Sequence, residues 1–407
     1  MKATITIDSL AFGGDGVGRL QGMAVFVPGA CPGDRLEVRI TEKNRRFARA
    51  RIETILTPGD ARIDPSCPHA ATCGGCQWQQ VDYASQFAAK CAVVERALAR
   101  YTPATVARFP APATEGYRRR ARLHWTGGRQ GTLGFHAARS RRIVDLIACP
   151  QLEPALQPVV PLLHERLTGI AGARGEVELL AGYGAQVHIA VTAQHGASDQ
   201  VFDVLAEPME RNCAGLRVSD GHTLRQQGAP DIALDARGLR AHAAVFTQAN
   251  ALQDAALRSA VQRAFATCDG GSLLEFHAGI GNFSLDLAER FNLVRAVESA
   301  PEAVQLLRGN TAGRGVEVVP EDANRFEWRQ STDAILLDPP REGAAPLMPR
   351  IAASRSPAVV YVSCDPMTLA RDLAPLHAAG YRLDSVDIID MMPHTYHVEV
   401  VCRLTYS

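Results

Sequence analysis

The C-terminal part of the chain repeats a strand-then-helix pattern, and this pattern restricts the possible folds more than any other feature. Five short apolar runs alternate with helical segments, at residues 272–276, 294–297, 316–319, 334–337 and 359–364. Strands that alternate with helices in this way form a parallel sheet with helices on its faces. We therefore predict a doubly wound α/β domain from about residue 236 to residue 407.

Acidic side chains stand at the ends of four of these strands, at Glu275, Glu298, Asp322 and Asp338. A Gly-Ile-Gly loop follows the first strand, but the third glycine of a dinucleotide fingerprint is missing. Carboxylates suit ribose hydroxyls and an adenine amino group, and they do not repel a cofactor without phosphate. S-adenosylmethionine (SAM), which carries a positive sulfonium, fits this pattern. The alternative for any single one of these acids is a helix cap.

Cys364 stands at the end of the last of these strands, in the run Val-Val-Tyr-Val-Ser-Cys-Asp-Pro. Pro366 has no N–H to donate to a ladder, so the strand must end there. Ligands of open α/β sheets lie outside the carboxyl ends of the strands, which places this cysteine where chemistry occurs. The alternative is a small buried hydrophobic residue.

A chain of 407 residues is long enough for two or three domains. Residues 1–57 contain four or five short alternating strands with glycine turns, which predicts a five-stranded barrel of the OB type. Residues 58–235 contain an amphipathic helix at 81–100 and several alternating strands, which predicts a central α+β domain. Residues 236–407 form the α/β domain.

Four of the ten cysteines have the spacing of a ligand set: Cys67, Cys73, Cys76 and Cys149. Five residues separate the first pair and two glycines separate the second, so the backbone can fold tightly around one centre. Four thiolates suit either zinc or a four-iron four-sulfur (4Fe-4S) cluster. We favour the cluster, because zinc sites more often use two Cys-x-x-Cys pairs and only one is present.

Positive charge is concentrated on one stretch, although the formal net charge of the chain is zero. Residues 117–142 carry eight arginines and no acidic residue, with aromatic side chains between them. Such a surface can bind a phosphate backbone and stack unpaired bases, which predicts an RNA partner. We find no 18-residue apolar run and no signal peptide. We therefore expect a cytoplasmic monomer with no membrane partner.

Several motifs, in order along nearly the whole chain, resemble the SAM-dependent RNA uracil-5-methyltransferases. They are Gln248, the glycine loop, Glu298, Asp338-Pro-Pro-Arg341, Ser363-Cys364-Asp-Pro-Met-Thr-Leu-Ala-Arg371 and His394-Thr-Tyr-His-Val-Glu399. The first 57 residues resemble the TRAM domain, and the cysteine set is similar to that of the iron-sulfur branch that modifies 23S ribosomal RNA. The resemblance implies a Rossmann-like SAM-methyltransferase domain.

The resemblance also implies a role for individual residues. Cys364 is expected to be the nucleophile and Glu399 the base. The cofactor contacts are expected at Gln248, His277, Gly279, Asn282, Glu298, Asp322 and Asp338. The chain departs from the family pattern in two places: Glu275-Phe-His277-Ala-Gly stands where the family's loop has Asp-x-Phe-Cys-Gly, and Asp365 stands where the family has Asn.

The expected reaction begins with addition of the Cys364 thiolate to C6 of uracil, because C5 alone is a poor nucleophile. C5 then takes the methyl group, and Glu399 removes the C5 proton. The base must leave its stack first. The alternatives are a tRNA uridine, cytosine C5 as the target, and a non-catalytic iron-sulfur RNA-binding or assembly factor. Adenine N6 is disfavoured, because Arg341 follows Asp-Pro-Pro where those enzymes have an aromatic residue.

Overall fold

Five strands at the N-terminus close into a barrel in the computed structural model, which describes residues 1–328 and 332–406. The strands are β1 (Lys2–Leu10), β2 (Gly16–Leu20), β3 (Met23–Val27), β4 (Arg35–Lys43) and β5 (Phe47–Thr57). Every second residue of a strand points inward, so Ile5, Val25 and Leu36 meet in the barrel core. The predicted five-stranded barrel is confirmed.

The next segment forms a helix and a strand, α1 (Tyr83–Leu98) and β6 (Thr105–Phe109). The carboxylate of Asp82 accepts the N–H of Ser85 at 2.9 Å and so begins the helix. The apolar stripe predicted at 81–100 is buried, but it packs on the α/β domain, where Val94 and Leu98 contact its core. Sequence position alone predicts that this segment belongs to the central domain.

A separate antiparallel and parallel sheet follows, with two helices on one face. Its elements are β7 (Arg120–Thr126), β8 (Thr132–His136), β9 (Ile143–Asp145), α2 (Val159–Thr168), β10 (Arg174–Ala181), β11 (Val187–Ala193), α3 (Ser198–Asn212), β12 (Gly215–Ser219) and β13 (Leu224–Gly228). The strand order is β13-β12-β11-β10-β7-β8-β9. The short hairpin strands β14 (Ile232–Ala233) and β15 (Arg240–Ala241) connect this sheet to the last domain. Short 3-10 helices occur at Ala99–Tyr101, Pro154–Leu156 and Tyr183–Ala185.

The last domain alternates strands with helices, as the sequence predicts. Its elements are α4 (Ala251–Ala264), β16 (Ser272–Phe276), α5 (Ser284–Leu287), β17 (Leu293–Val297), α6 (Pro301–Asn310), β18 (Val316–Val319), β19 (Ala334–Leu337), α7 (Met348–Ser354), β20 (Ala358–Ser363), α8 (Pro366–Ala378), β21 (Tyr381–Ile389) and β22 (Glu399–Tyr406). Helix α5 is short, with four residues.

The strand order of this sheet is β18-β17-β16-β19-β20-β22-β21-β6. Strands β16 to β20 are parallel, and β22 runs antiparallel to its two neighbours. The chain leaves β16 toward β17 and later returns to its other side at β19. This reversal opens a crevice at the carboxyl ends of β16 and β19, which is the usual ligand position in such sheets.

Strand β6 pairs parallel to β21 and so belongs to this sheet, although it precedes the central sheet in the chain. The α/β domain is therefore built from two separate stretches of sequence. No helix in the described ranges is long and apolar enough to cross a membrane.

Candidate active site

One cavity of about 850 Å³ lies outside the carboxyl ends of β16, β17, β19 and β20. Eight of the nine residues predicted to bind cofactor or act in catalysis line it: Gln248, His277, Gly279, Asn282, Glu298, Asp338, Cys364 and Glu399. They come from four strand ends and two loops. The structure thus brings the glycine loop and the proposed nucleophile into a single space.

Glu298 connects the glycine loop to the start of α6. One carboxylate oxygen accepts the N–H of Gly279 at 3.0 Å, and the other accepts the N–H groups of Ser299 and Ala300 at 2.7 and 2.8 Å. Gly281 has φ +90°, and a Cβ there would lie 2.7 Å from Leu307. The left-handed backbone of the loop therefore favours glycine at this position.

Asp322 lies outside this cavity, contrary to expectation. Its side chain is exposed, and its carboxylate accepts the N–H of Asn324 at 2.8 Å in the turn after β18. Burial lowers the pKa of His277, and the charges of Glu298 and Asp322 act in the opposite direction. Asp322 is therefore near the loop without lining the cavity, and one of its carboxylate oxygens is used within its own turn.

Cys364 and Glu399 face each other because of strand register. Ser363 pairs with Val400 in the antiparallel ladder of β20 and β22, so the next opposing positions are Cys364 and Glu399. Asp365 accepts the N–H groups of two residues in the first turn of α8, at 2.8 and 3.0 Å. The departure from the family pattern at Asp365 therefore acts as a helix cap, and it ends the strand at Cys364.

Burial dominates the electrostatics of this pair. Desolvation and the charge of Glu399 raise the pKa of the Cys364 thiol to about 12, although Arg341 acts in the opposite direction. Desolvation and Asp338 raise the pKa of Glu399 to about 8, again against Arg341. Desolvation and Asp254 raise the pKa of Asp338 to about 7. The cavity alone therefore favours the neutral forms of these groups, and Arg341 favours the charged forms.

Comparison with known proteins gives the family. A model described as TRAM domain matches residues 2–52, and one described as tRNA (Uracil-5-)-methyltransferase matches residues 325–406. The 23S rRNA (uracil(1939)-C(5))-methyltransferase RlmD of Pectobacterium atrosepticum is 34% identical over 97% of this chain and 92% of its own. Its namesake from Edwardsiella ictaluri is 36% identical over 97% and 94%. The chain belongs to the RNA uracil-C5-methyltransferase family.

A solved structure shares the fold of the whole methyltransferase. The tRNA (uracil-54, C5)-methyltransferase of Pyrococcus abyssi, solved in complex with S-adenosyl-L-homocysteine, is 24% identical. It aligns with a TM-score of 0.78 over 99% of each chain. The predictions of this family and of a SAM-methyltransferase fold with an N-terminal TRAM domain are confirmed.

The four predicted metal ligands of the methyltransferase line a second, smaller cavity: Cys67, Cys73, Cys76 and Cys149. The N–H of Gly75 lies 3.4 Å from the sulfur of Cys73, and a Cβ at Gly74 would lie 2.8 Å from the carbonyl oxygen of His136. Over residues 1–328 and 332–406, however, no group of three or more His, Cys, Asp or Glu is arranged to hold a metal ion. The structure gathers the four thiols but does not itself show a metal site.

The eight arginines of the basic stretch are partly neutralised by residues from other elements. Arg120 and Arg122 donate to Glu178 of β10, at 2.8 and 2.9 Å, and Arg139 forms an ion pair with Asp15 of the barrel at 2.7 Å. The charge of +8 counted from the sequence therefore overstates the field that an RNA would meet. Arg118 lines both the cysteine cavity and the large cavity.

Sequence reasoning missed a buried network that supports one side of the cavity, at Gln248 and Asn282. Arg119 donates to the main-chain oxygen of Gln248 at 2.9 Å and to Asp254 at 3.1 Å. Asp254 in turn accepts a hydrogen bond from the side-chain N–H of Asn282 at 2.7 Å. The side-chain oxygen of Asn282 accepts one from Arg237 at 3.1 Å. Both ends of the Asn282 amide are therefore bonded to protein. No local sequence signal reveals these partners, because the Arg119–Asp254 pair spans 135 residues.

Proposed function

We propose that this chain transfers a methyl group from SAM to C5 of one uridine in 23S ribosomal RNA. The observation that carries the proposal is the single cavity in which Cys364 and Glu399 meet the glycine loop and Glu298. The ribosomal substrate is supported by relatives of that name, which align over more than nine-tenths of their own length. The carboxylates at the strand ends suit the cofactor, because they favour a cation and do not compensate the charge of a phosphate.

In the proposed mechanism, the Cys364 thiol first loses its proton to water. The thiolate then forms a bond to C6 of uracil, and the electron pair of the C5–C6 double bond moves onto the ring as an enolate. SAM, when bound, supplies the methyl group that C5 then receives. Glu399 takes the proton from C5, the C5–C6 double bond reforms, and the bond to sulfur breaks. Arg341 supports both residues, because its charge favours the thiolate and the carboxylate.

The experiment uses purified protein, tritiated SAM and two unmodified transcripts, a 23S rRNA fragment and a tRNA. We expect 5-methyluridine in the digested 23S fragment by mass spectrometry, and a covalent adduct with 5-fluorouridine RNA. Cys364→Ala abolishes both results, whereas Cys268→Ala, the matched control, retains them. Product formed by Cys364→Ala would refute the role of Cys364 as the nucleophile. Detection of 5-methylcytidine would refute uracil as the target nucleobase, and methylation of tRNA alone would refute the ribosomal substrate.

We further propose that the four gathered cysteines hold a 4Fe-4S cluster that stabilises the region between the barrel and the central sheet. The donor set supports this, since four thiols surround one cavity. Anaerobically purified protein should absorb visible light and contain iron, and Cys76→Ser should lose both while Cys213→Ser retains both. Zinc without iron would contradict the cluster.

A further inference from the structure

One wall of the active-site cavity is a loop, residues 390–398, which we call the catalytic loop. It connects β21 to β22, and the ladder closes at its base, where Ile389 pairs with Glu399. Met391, Met392 and His397 line the cavity from this loop. The position of the loop therefore decides how the proposed base is enclosed.

The catalytic loop contains a backbone conformation that its sequence does not favour. His394 has φ +63°, in the left-handed region that side chains with a Cβ rarely adopt, and it is buried. Such a conformation persists only where the surroundings hold it, and it occurs most often near functional sites. The contacts of His394 therefore show what holds the loop.

Both backbone groups of His394 are bonded to residues of one distant segment. Its N–H donates to the side-chain oxygen of Gln86 at 2.8 Å. Its carbonyl accepts the N–H groups of Gln77 and Trp78, both at 2.9 Å. The side-chain nitrogen of Gln86 also donates to the carbonyls of Trp78 and Val81, at 3.0 and 2.7 Å, which fixes Gln86 itself.

A buried ion pair adds a second point of attachment. Lys90 donates to the carboxylate of Asp390 at 2.6 Å and to the carbonyl of Met392 at 3.0 Å. Both charged side chains are fully buried. Burial of such a pair adds little stability compared with apolar residues, so its main effect here is to fix geometry. Tyr117 completes the attachment by donating to the carbonyl of Pro393 at 3.0 Å.

We propose that residues 77–90, the loop clamp, position the catalytic loop for the removal of the C5 proton by Glu399. Gln86 and Lys90 are positioning residues, since they act through the loop. This inference rests on the proposed function, in which Glu399 is the base. The loop clamp begins directly after Cys76, so its first residue is tied to the cysteine cavity.

The test compares Gln86→Met with Gln227→Met, a matched control that loses one side-chain bond to the carbonyl of Ala206, remote from the loop. With unmodified 23S RNA, loosening of the loop slows the last step, so the covalent RNA adduct accumulates on denaturing gels. We expect the ratio of adduct to 5-methyluridine to rise about tenfold in Gln86→Met, as for the loss of buried hydrogen bonds. The control keeps the wild-type ratio.

A second measurement does not depend on activity. Amide hydrogen exchange of residues 390–398 should be about tenfold faster in Gln86→Met than in Gln227→Met, with the barrel unchanged. Equal exchange in the two variants, or a parallel loss of adduct and product, would overturn the loop clamp. If neither wild type nor Glu399→Gln forms an adduct with 5-fluorouridine RNA, the proposed function fails. Amide hydrogen exchange of residues 390–398 then decides by itself whether the loop clamp holds the catalytic loop.

Discussion

Replacement of Glu399 by Gln should stabilise the ligand-free protein at high pH, although it removes the proposed base. Burial raises the pKa of this carboxyl from 4.5 to about 8. Between these values the folded protein holds a proton that the unfolded chain releases. The free energy of unfolding of the wild type therefore falls as the pH rises through this interval. The Gln side chain does not ionise, so the free energy of unfolding of the variant does not fall in this way.

The magnitude follows from the same two values. At about 1.36 kcal/mol per pH unit, the interval from 4.5 to about 8 corresponds to an upper limit of about 5 kcal/mol. Water entering the cavity reduces the penalty, so we expect a gain of about 2–5 kcal/mol at pH 9. Below pH 4.5 the carboxyl is protonated in both states, and the difference between variant and wild type should approach zero.

Urea unfolding at pH 4.5, 7 and 9 measures the effect. The matched control is Glu207→Gln, whose side chain is 83% exposed and has no burial penalty to relieve. The gain of Glu399→Gln should grow steadily from the lowest pH to the highest, while the control stays flat. A gain that is equal at all three values, or absent at pH 9, would show that the carboxyl of Glu399 is well solvated and would refute the reasoning.

Three further predictions follow from the same structure. Lys90→Met should lower the free energy of unfolding by about 3–5 kcal/mol, because it leaves the buried charge of Asp390 unpaired. The double variant Lys90→Met, Asp390→Leu should recover most of that loss. An unfolding titration in which the double variant is no more stable than the single one would contradict this. Glu298→Ala removes the acceptor of three backbone N–H groups and should weaken the binding of S-adenosylhomocysteine about tenfold or more, as measured by calorimetry. An unchanged affinity would show that the loop keeps its shape without this carboxylate. A bound sulfonium favours the charged form of Asp338, whose pKa is about 7. Binding of SAM at pH 7 should therefore release more protons than binding of S-adenosylhomocysteine, which has no sulfonium, as measured by calorimetry in two buffers of different ionisation enthalpy. Equal proton release would place the sulfonium away from Asp338.

The residues at the strand ends could be predicted because the geometry of a parallel sheet is regular. Strands β16, β17, β19 and β20 were visible as apolar runs, and their carboxyl ends must share one edge. Glu298, Asp338 and Cys364 therefore had to lie near one another, and all three line the cavity. The position of Glu399 opposite Cys364 could not be predicted in this way, since it depends on the antiparallel pairing of β22 with β20, which is set by tertiary structure.

Charge and domain limits were less predictable for the same tertiary reason. The guanidinium of Arg122 lies opposite Glu178 in the ladder of β7 and β10, but the two residues are 56 positions apart in sequence. A count along the chain cannot include such a partner. Likewise β6 has the alternation of any exposed strand, and nothing local indicates that it pairs with β21 rather than with β7.

The catalytic loop shows why a motif alone does not assign roles to its residues. His394, His397 and Glu399 stand close together in one run, and each has a side chain that can carry a proton. Only the packing separates them: His397 and Glu399 line the cavity, whereas both backbone groups of His394 are used by residues about 310 positions earlier. Because contacts of that range leave no local pattern, sequence can locate the chemistry of this loop, but the folded chain is needed to separate the groups that react from those that hold them in place.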